Sequence, residues 1–298
     1  MSRQRVLDGT VDDSGHEFAA ERDRLFAIAY RMLGSAADAD DVLQEAWLRW
    51  SASPRDDVAS PRAFLTTIVS RLCLDALGSA RRRHEEYVGP WLPEPLPTAG
   101  QPIFVDTVAA RETLSLGFLH LLERLSPAER AVIVLHEAFD YAHAEIGELL
   151  GIPEATVRQH LYRAHARLNV ERVRFRATPE QHTRLFGAFL DAIGNGDLDE
   201  LRRLLAADVV AASDSGGKVR AARNPVRGPD QVARFFIGLT KKAAPGAFTY
   251  EVVEANGAPA LLMRHLGQLF GLLSIDGDGQ RIHAVHFVVN PDKLARFA

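Results

Sequence analysis

Between residues 17 and 168 most apolar positions recur every three or four residues, and beyond residue 179 they break into short alternating or continuous runs. The pattern predicts helices first and a mixed helix-and-strand region after. From Glu17 a helix places Leu25, Ile28, Ala29, Met32 and Leu33 on one face and ends at Gly34-Ser35. A second, Ala37 to Trp50, buries Val42, Leu43, Ala46, Trp47 and Trp50 and turns Asp38, Asp41, Gln44 and Glu45 outward. Ser51 to Ser60 is a loop containing Pro54. Ser60-Pro61 then starts a long helix with Phe64, Leu65, Ile68, Val69, Leu72, Ala76 and Leu77 inside. Arg62, Thr66, Thr67, Ser70, Arg71 and Asp75 fall on its outer side, and it runs out at Arg81-Arg82-Arg83. Ahead of all this, Met1 to Ser14 is polar and aperiodic and reads as a mobile tail.

The helical period fails after Glu85, where Gly89, Pro90, Pro93, Pro95, Pro97, Gly100 and Pro102 mark a stiffened linker. Trp91 within it is predicted to dock, because an indole left in water forgoes the gain from burying its apolar surface. A helix from Arg111 to Leu125 leads into Ser126–Leu168, which reads as two short helices feeding a third through a tight turn. Ser126, Pro127 and Glu129 are an N-cap, an N1 proline and a capping-box acid in order. Val132, Leu135 and Phe139 form the first stripe; Ile146, Leu149 and Leu150 form the second, which stops at Gly151, a residue suited to a left-handed C′ position. Gly151-Ile152-Pro153 is the turn. The third helix carries Val157, Leu161, Ala164 and Leu168 on one face and leaves Arg158, Gln159, Tyr162, Arg163 and Arg167 outward. This is the layout of a helix-turn-helix DNA reader. Arg can grip guanine O6/N7 and Gln adenine N6/N7 in the major groove. A solvated face is the plainer alternative, but Arg158, Arg163, Arg167, Arg172, Arg174 and Arg176 meet only Glu154 and Glu171, an excess that suits phosphate.

After Phe175 an amphipathic helix, Pro179 to Ile193, is followed by a turn at Gly194-Asn195-Gly196-Asp197 and a short helix, Leu198 to Leu205. A run at Val209–Ala212, a glycine hairpin at Ser215-Gly216-Gly217 and a helix from Pro229 to Lys242 come next. Strands are predicted at Phe248–Glu254, Ala260–His265, Gln268–Ile275 and Arg281–Val289, the last two joined at Gly277-Asp278-Gly279. Such an order gives an α+β domain with a curved antiparallel sheet, a shape that usually encloses a pocket.

Composition changes this picture in a few places. At 298 residues the chain has room for two or three domains. Its formal charge of −4 does not exclude nucleic acid, because basic residues are clustered. A single cysteine, Cys73, excludes an intramolecular disulfide and sits in an apolar helical run as a buried thiol. The absence of a long apolar run or of a signal-peptide core points to the cytoplasm. Acids in the first turn of the second helix complement its dipole, which accounts for Asp38 and Asp40. Gln44 and Glu45 lie a turn further on and suit a basic partner protein. Likewise Arg81–Arg83 at a helix end could be a dipole complement alone, but beside a DNA reader they suit phosphate.

These residues together resemble a bacterial sigma factor of the extracytoplasmic-function type. Asp38-Ala39-Asp40-Asp41-Val42-Leu43-Gln44-Glu45-Ala46-Trp47 is similar to that family's first conserved domain. The resemblance implies that Asp38, Asp41, Gln44 and Glu45 bind the β′ clamp of core RNA polymerase. It also implies that the Ser51–Ser60 loop and the Pro61–Arg83 helix, with Arg62, Arg71, Arg81, Arg82 and Arg83, open and read the minus-ten element. Leu125-Ser126-Pro127-Ala128-Glu129-Arg130 through Leu161-Tyr162-Arg163-Ala164 resembles the last conserved domain, which reads the minus-thirty-five element and meets the β flap. The remainder is similar to a SnoaL-like C-terminal domain. Trp91-Leu92-Pro93-Glu94-Pro95 and Asn290-Pro291-Asp292-Lys293-Leu294 match the subgroup's linker and terminal motifs, and Asp214-Ser215-Gly216-Gly217-Lys218 its glycine-rich run, with Ser215 replacing a glycine.

The expected organisation is multidomain. A flexible tail (1–14) precedes sigma region 2 (15–86), a Pro-rich linker (87–108), sigma region 4 (109–176) and a SnoaL-like regulatory domain (177–298). The first two folded domains are all-α and the third is an α+β cone. The linker motif, Asp214, Gly216, Gly217, Lys218 and the terminal motif are expected to form a contact within the chain that modulates activity. No metal or cofactor is expected. One rival reading makes the C-terminal domain a small-molecule sensor or an isomerase- or cyclase-like enzyme, with His265, His283 and His286 on neighbouring strands and Asp214 as partner. Another, a plain duplex-binding regulator, leaves the Asp38–Trp50 helix without a role.

Overall fold

The structure, a computed structural model, describes residues 5–54, 58–100, 113–172, 177–242, 244 and 246–298, and the side chains of all of these except 5–14, 79–85 and 169–172. Along the chain run α1 (Arg5–Leu33), α2 (Ala36–Ala52), α3 (Pro61–Glu85), α4 (Leu116–Leu122), α5 (Pro127–Phe139), α6 (His143–Leu150), α7 (Glu154–Arg172), α8 (Pro179–Asn195) and α9 (Leu198–Leu204). Then come β1 (Leu205–Asp214), β2 (Val226–Arg227), α10 (Pro229–Lys242), β3 (Phe248–Ala255), β4 (Ala258–His265), β5 (Gln268–Gly277), β6 (Ile282–Val288) and a closing 3-10 helix, Pro291–Phe297. The chain divides into two compact units, Met1–Arg82 with Leu125–Ala166, and Arg83–Arg124 with Arg167–Ala298.

In the first unit the apolar stripes of α1, α2 and α3 meet as their spacing predicts. Leu25, Ile28, Met32, Trp50 and Leu65 are fully buried, with Trp50 tilted against Phe64 at 5.8 Å. Ser35 caps α2 by accepting from the Asp38 amide at 3.1 Å. At the end of α1, Gly34 takes a left-handed φ of 67° while Arg130 of α5 donates to the Met32 carbonyl at 2.9 Å. A cation there serves both a free carbonyl and the negative helix end. Arg31, almost wholly buried, lies over the Phe139 ring at 5.5 Å and donates to the Ala27 carbonyl. Burial lowers its pKa to about 10, so it stays charged at neutral pH.

Two expectations change here. Helix α1 begins at Arg5, inside the stretch expected to be a tail up to residue 14; Val6, Leu7 and Val11 are too few among Asp8, Gly9, Asp12 and Asp13 to show a helical period. Thr66 and Ser70, expected outward, are fully buried. Arg24 reaches across from α1, its Nη1 donating to Tyr141 Oη at 2.9 Å and its Nη2 to Thr66 Oγ1 at 2.9 Å, so this side of α3 is an internal surface of the unit.

The second unit holds a six-stranded sheet in the order β2-β1-β6-β5-β4-β3. It is mixed, since β1 runs parallel to β6 (Ala211 opposite Val285) and every other pairing is antiparallel; only that part of the predicted curved antiparallel sheet is revised. The parallel pair arises because the chain makes β2, α10 and a three-strand meander before returning beside β1. One sheet face packs Leu273, Ile275, Val285 and Phe287 on Phe186, Phe189, Val232 and Phe236 of α8 and α10. The other packs Leu272 and Val288 on Leu92, Leu116, Leu294 and Phe297. Cover on both faces explains why β5 reads apolar almost throughout rather than alternating. Of the helix expected from Arg111, residues 111 and 112 lie outside the described residues, and after Thr113 the helix starts at Leu116, with Ser115 accepting from the Phe118 amide at 3.1 Å. The Leu114 carbonyl, which would belong to an earlier turn, is taken by Asn256 Nδ2 at 2.9 Å.

Candidate nucleic-acid interface and linker dock

The predicted helix-turn-helix forms as its caps dictate. Ser126 Oγ accepts from the Glu129 amide at 3.3 Å while Glu129 Oε2 accepts from the Ser126 amide at 2.9 Å, completing the capping box. Helix α6 ends on Gly151 at φ 69°, after which the Ile152 amide closes back on the Gly147 carbonyl at 2.9 Å. A Cβ on Gly147 would lie 2.8 Å from the Ile152 carbonyl, so the turn can be this tight only with glycine there. From it α7 emerges with Val157, Leu161, Ala164 and Leu168 buried. Arg158, Gln159, Tyr162, Arg163 and Arg167 are all exposed, Tyr162 at 75%. Arg158 is ion-paired with Glu154 one turn back, an exposed pair worth about 0.3–0.5 kcal/mol that phosphate or a base edge can displace.

On α3, Arg62 and Arg71 are exposed, whereas the side chains of Arg81, Arg82 and Arg83 lie outside the described residues. On α2, Asp41 and Gln44 are exposed and Asp38 and Glu45 half-buried, with Glu45 Oε1 accepting from Arg49 Nε at 2.9 Å. Leu48, 55% exposed, stands one turn beyond Gln44 and Glu45 on the same side. Sequence reading passed over this apolar position; its i+7 spacing from Asp41 is the signal that identifies it. Trp47, expected inside, is only half-buried and sets its edge against Phe18 at 5.3 Å.

In the second unit the linker motif and the terminal motif converge on Asp214. Its buried carboxylate accepts from Tyr87 Oη at 2.6 Å, the Leu92 amide at 2.8 Å, the Gly216 amide at 3.1 Å and Lys293 Nζ at 2.7 Å. The Asp214 carbonyl accepts from the Val289 and Asn290 amides, which ties the terminal motif to the end of β1. Lys293 also donates to the Leu92 carbonyl and stands 4.3 Å from the centre of the Trp91 ring. Burial lowers the Lys293 pKa, and Asp214 beside it acts to raise it. Asn290 Nδ2 donates to Tyr87 Oη at 2.8 Å. Gly216, at φ 56°, leaves no room for a Cβ, which would fall 2.5 Å from Asn290 Nδ2. Ser215 keeps φ outside the left-handed region and its Oγ accepts from the Gly217 amide, so the replacement of glycine there is harmless. Lys218 pairs with Asp292, and Arg296 lies 3.9 Å from buried Glu94. Leu92 and Leu294 share the apolar cluster on this sheet face; Pro93 and Pro95 are buried and Pro291 exposed.

Sequence reading missed a second anchor. The Leu96 amide donates to Asn256 Oδ1 at 2.8 Å, the Asn256 amide to the Leu96 carbonyl at 2.9 Å, and Thr98 Oγ1 to Glu254 at 2.8 Å. Asn256-Gly257, with φ 53° and 74°, is the β3–β4 turn, and this strong hairpin dipeptide was the available signal.

The histidines expected around Asp214 are placed elsewhere. His286 Nε2 lies 2.8 Å from Asp276 Oδ2, buried beneath α4, with the His120 ring 6.3 Å away. His283 contacts Asp278 at 3.0 Å and Asp208 at 3.4 Å, and exposed His265 sits on Phe248 at 4.7 Å. The proposed Asp214 pairing is therefore corrected: its oxygens are committed to the linker and Lys293. Strand β5 separates His265 on β4 from His283 and His286 on β6.

Comparison with known proteins finds three families along the chain. Sigma-70 region 2 matches residues 18–83, Sigma-70 region 4 residues 115–168 and the SnoaL-like domain residues 186–295. The chain is 40% identical over 297 residues to the ECF RNA polymerase sigma factor SigJ of Mycobacterium tuberculosis, covering 93% of this chain and 92% of that one. It is 32% identical over 277 residues to the probable ECF RNA polymerase sigma factor SigI of the same organism, covering 92% of each. The crystal structure of Mycobacterium tuberculosis SigJ superposes with a TM-score of 0.76 at 36% identity, over 94% of this chain and 98% of that one.

Proposed function

Because the chain belongs to the extracytoplasmic-function family of RNA polymerase sigma factors, we propose that it docks on the β′ clamp and β flap of core polymerase and reads two promoter segments in the cytoplasm. The observation that carries this reading is the outer face of α7, where Arg158, Gln159, Tyr162, Arg163 and Arg167 stand exposed on a helix held rigidly from behind. Arg62, Arg71 and Arg81–Arg83 supply phosphate contacts along the minus-ten element. Asp38, Asp41, Gln44 and Glu45 meet the polymerase around Leu48, an apolar centre with a polar rim. On this reading region 2 spans 15–86, the linker 87–108, region 4 109–176 and the regulatory domain 177–298.

The C-terminal domain works by contact rather than by turnover, and it adjusts initiation through the linker it holds. The commitment of Asp214 to Tyr87, Leu92 and Lys293 supports this. Run-off transcription with purified core polymerase tests the whole reading. Arg158→Ala and Arg163→Ala are each expected to weaken promoter binding by about 1–3 kcal/mol with relaxed preference at particular positions. Charge reversal at Asp41 and Glu45 is expected to abolish retention of core polymerase by a folded chain; unchanged retention removes α2 from the interface.

A further inference from the structure

Between Asp214 and Asp230 the chain contains four cations, Lys218, Arg220, Arg223 and Arg227, and no acid. These residues make up the β1–β2 connection and β2 itself, which carries Arg227 and is the outermost strand at its end of the sheet. Lys218 is occupied by Asp292. The three arginines are exposed, and among the described residues none offers any of them an ion pair or side-chain hydrogen bond. The loop is nonetheless held at both ends. At its start Asp214 and Ser215 accept from the Gly216 and Gly217 amides, and a Cβ on Gly217 would already press on Val88 at 3.1 Å. At its end Arg227 pairs with Val210, and the Gly228 amide donates to the Val209 carbonyl at 2.9 Å. Its middle passes close to the linker, since a Cβ on Gly89 would come 3.9 Å from the Arg223 carbonyl.

We propose that Arg220, Arg223 and Arg227 form a further contact to the phosphate backbone of promoter DNA, presented by the C-terminal domain itself. The inference rests on the promoter-reading function above. Three features favour duplex phosphate over an acidic protein surface. The charges are guanidinium, whose fork matches phosphate oxygens in pairs. They sit among small and polar neighbours, Ala221, Ala222, Asn224 and Pro225; Val219, 37% exposed, is the one exposed large apolar side chain between residues 215 and 229, and the aromatic anchors that protein interfaces use do not occur there. And the segment the loop packs on, Tyr87 to Gly89, follows Arg83 by only four to six residues, so the chain itself tethers the loop to the basic end of α3. Docking the linker on Asp214 then has a second consequence: it holds this loop against the chain segment that follows α3.

The test uses the full chain and mixed-sequence duplex DNA, with fluorescence anisotropy over a range of KCl concentrations. Replacing all three arginines by Gln should lower the slope of log K against log[salt] by about 2–3, at about 0.9 per phosphate released. The Arg→Lys triple should retain most of the slope, which separates lost charge from lost fold. A parallel variant, Arg158→Gln with Arg163→Gln, reports on α7. If only the α7 variant lowers the slope, the loop proposal is overturned and promoter reading by α7 stands. If only the loop variant does, the loop contact stands and the role of α7 falls; if neither does, both fall. Poly-glutamate serves as an acidic-protein mimic: a loop variant that keeps its DNA slope but loses poly-glutamate binding overturns the proposal in favour of a protein partner.

Discussion

Replacing Asp214 by Asn should undo the linker dock from one end. The carboxylate is fully buried and accepts four hydrogen bonds, one of them from the Lys293 ammonium at 2.7 Å. Removing its charge leaves a largely buried cation facing an amide. Breaking a buried pair in this way costs about 3–5 kcal/mol, most of it the desolvation of the partner left behind. Lys293→Met leaves Asp214 with three donors and should cost less, about 1–3 kcal/mol. The double variant leaves neither charge, and a Met side chain can still lie on Trp91, so it should be more stable than Asp214→Asn alone. Hydrogen exchange followed by mass spectrometry reads this locally. The Tyr87–Leu92 peptide should lose protection in Asp214→Asn, whereas Leu96 and Thr98, anchored on Asn256 and Glu254, should keep most of theirs. Urea unfolding gives the cycle, with a coupling of about 1–3 kcal/mol. Additive single effects, or an unchanged Tyr87–Leu92 exchange rate in Asp214→Asn, would refute the reasoning.

Other perturbations have equally definite outcomes. Tyr141→Phe removes the oxygen that Arg24 meets at 2.9 Å and that lies 3.3 Å from Thr66 Oγ1; a loss of about 1–2 kcal/mol in urea unfolding is expected, and no loss would mean that Thr66, Glu21 and the Arg62 carbonyl suffice for Arg24. His120 has its pKa lowered from 6.5 to about 4, by burial first and by His286 second, with Arg124 and Lys293 adding to the fall and Glu123 opposing it. The unfolded chain therefore takes up a proton below pH 6.5 that the folded chain refuses, so stability should be flat above that pH and decline towards pH 4 by at most about 3 kcal/mol. His120→Leu should flatten that decline, and an identical pH profile in the variant would exclude His120 as its source. The Cys73 thiol, fully buried and with its pKa raised by burial alone, should react with a thiol reagent only at the rate of unfolding; rapid modification of the native chain would contradict its placement.

Local chemistry in the sequence determined the elements whose ends are capped and whose faces are periodic. Ser126, Pro127 and Glu129 fix the start of α5, Gly151 the end of α6, and the spacing of Val157, Leu161, Ala164 and Leu168 turns Arg158 and Arg163 outward whatever else the chain does. The motif around Trp91 and that around Lys293 could be matched to a known subgroup, but their shared partner could not be derived from spacing. Asp214 lies 122 residues from the Leu92 amide it accepts and 79 from Lys293. That meeting depends on β1 running beside β6, a parallel pairing with no local signature. The same reason explains the errors. Thr66 and Ser70 are polar and sit opposite the apolar stripe of α3, so sequence placed them in water, yet both are buried, and Arg24 of α1 and Tyr141 of the α5–α6 connection arrive from far along the chain to meet Thr66. His286 was paired with Asp214 because both types suit acid-base chemistry, whereas strand register sets it opposite Ser274 and two residues from Asp276 along β5. Burial of a polar side chain is decided by what packs over it from far along the chain, and only the tertiary structure decides that.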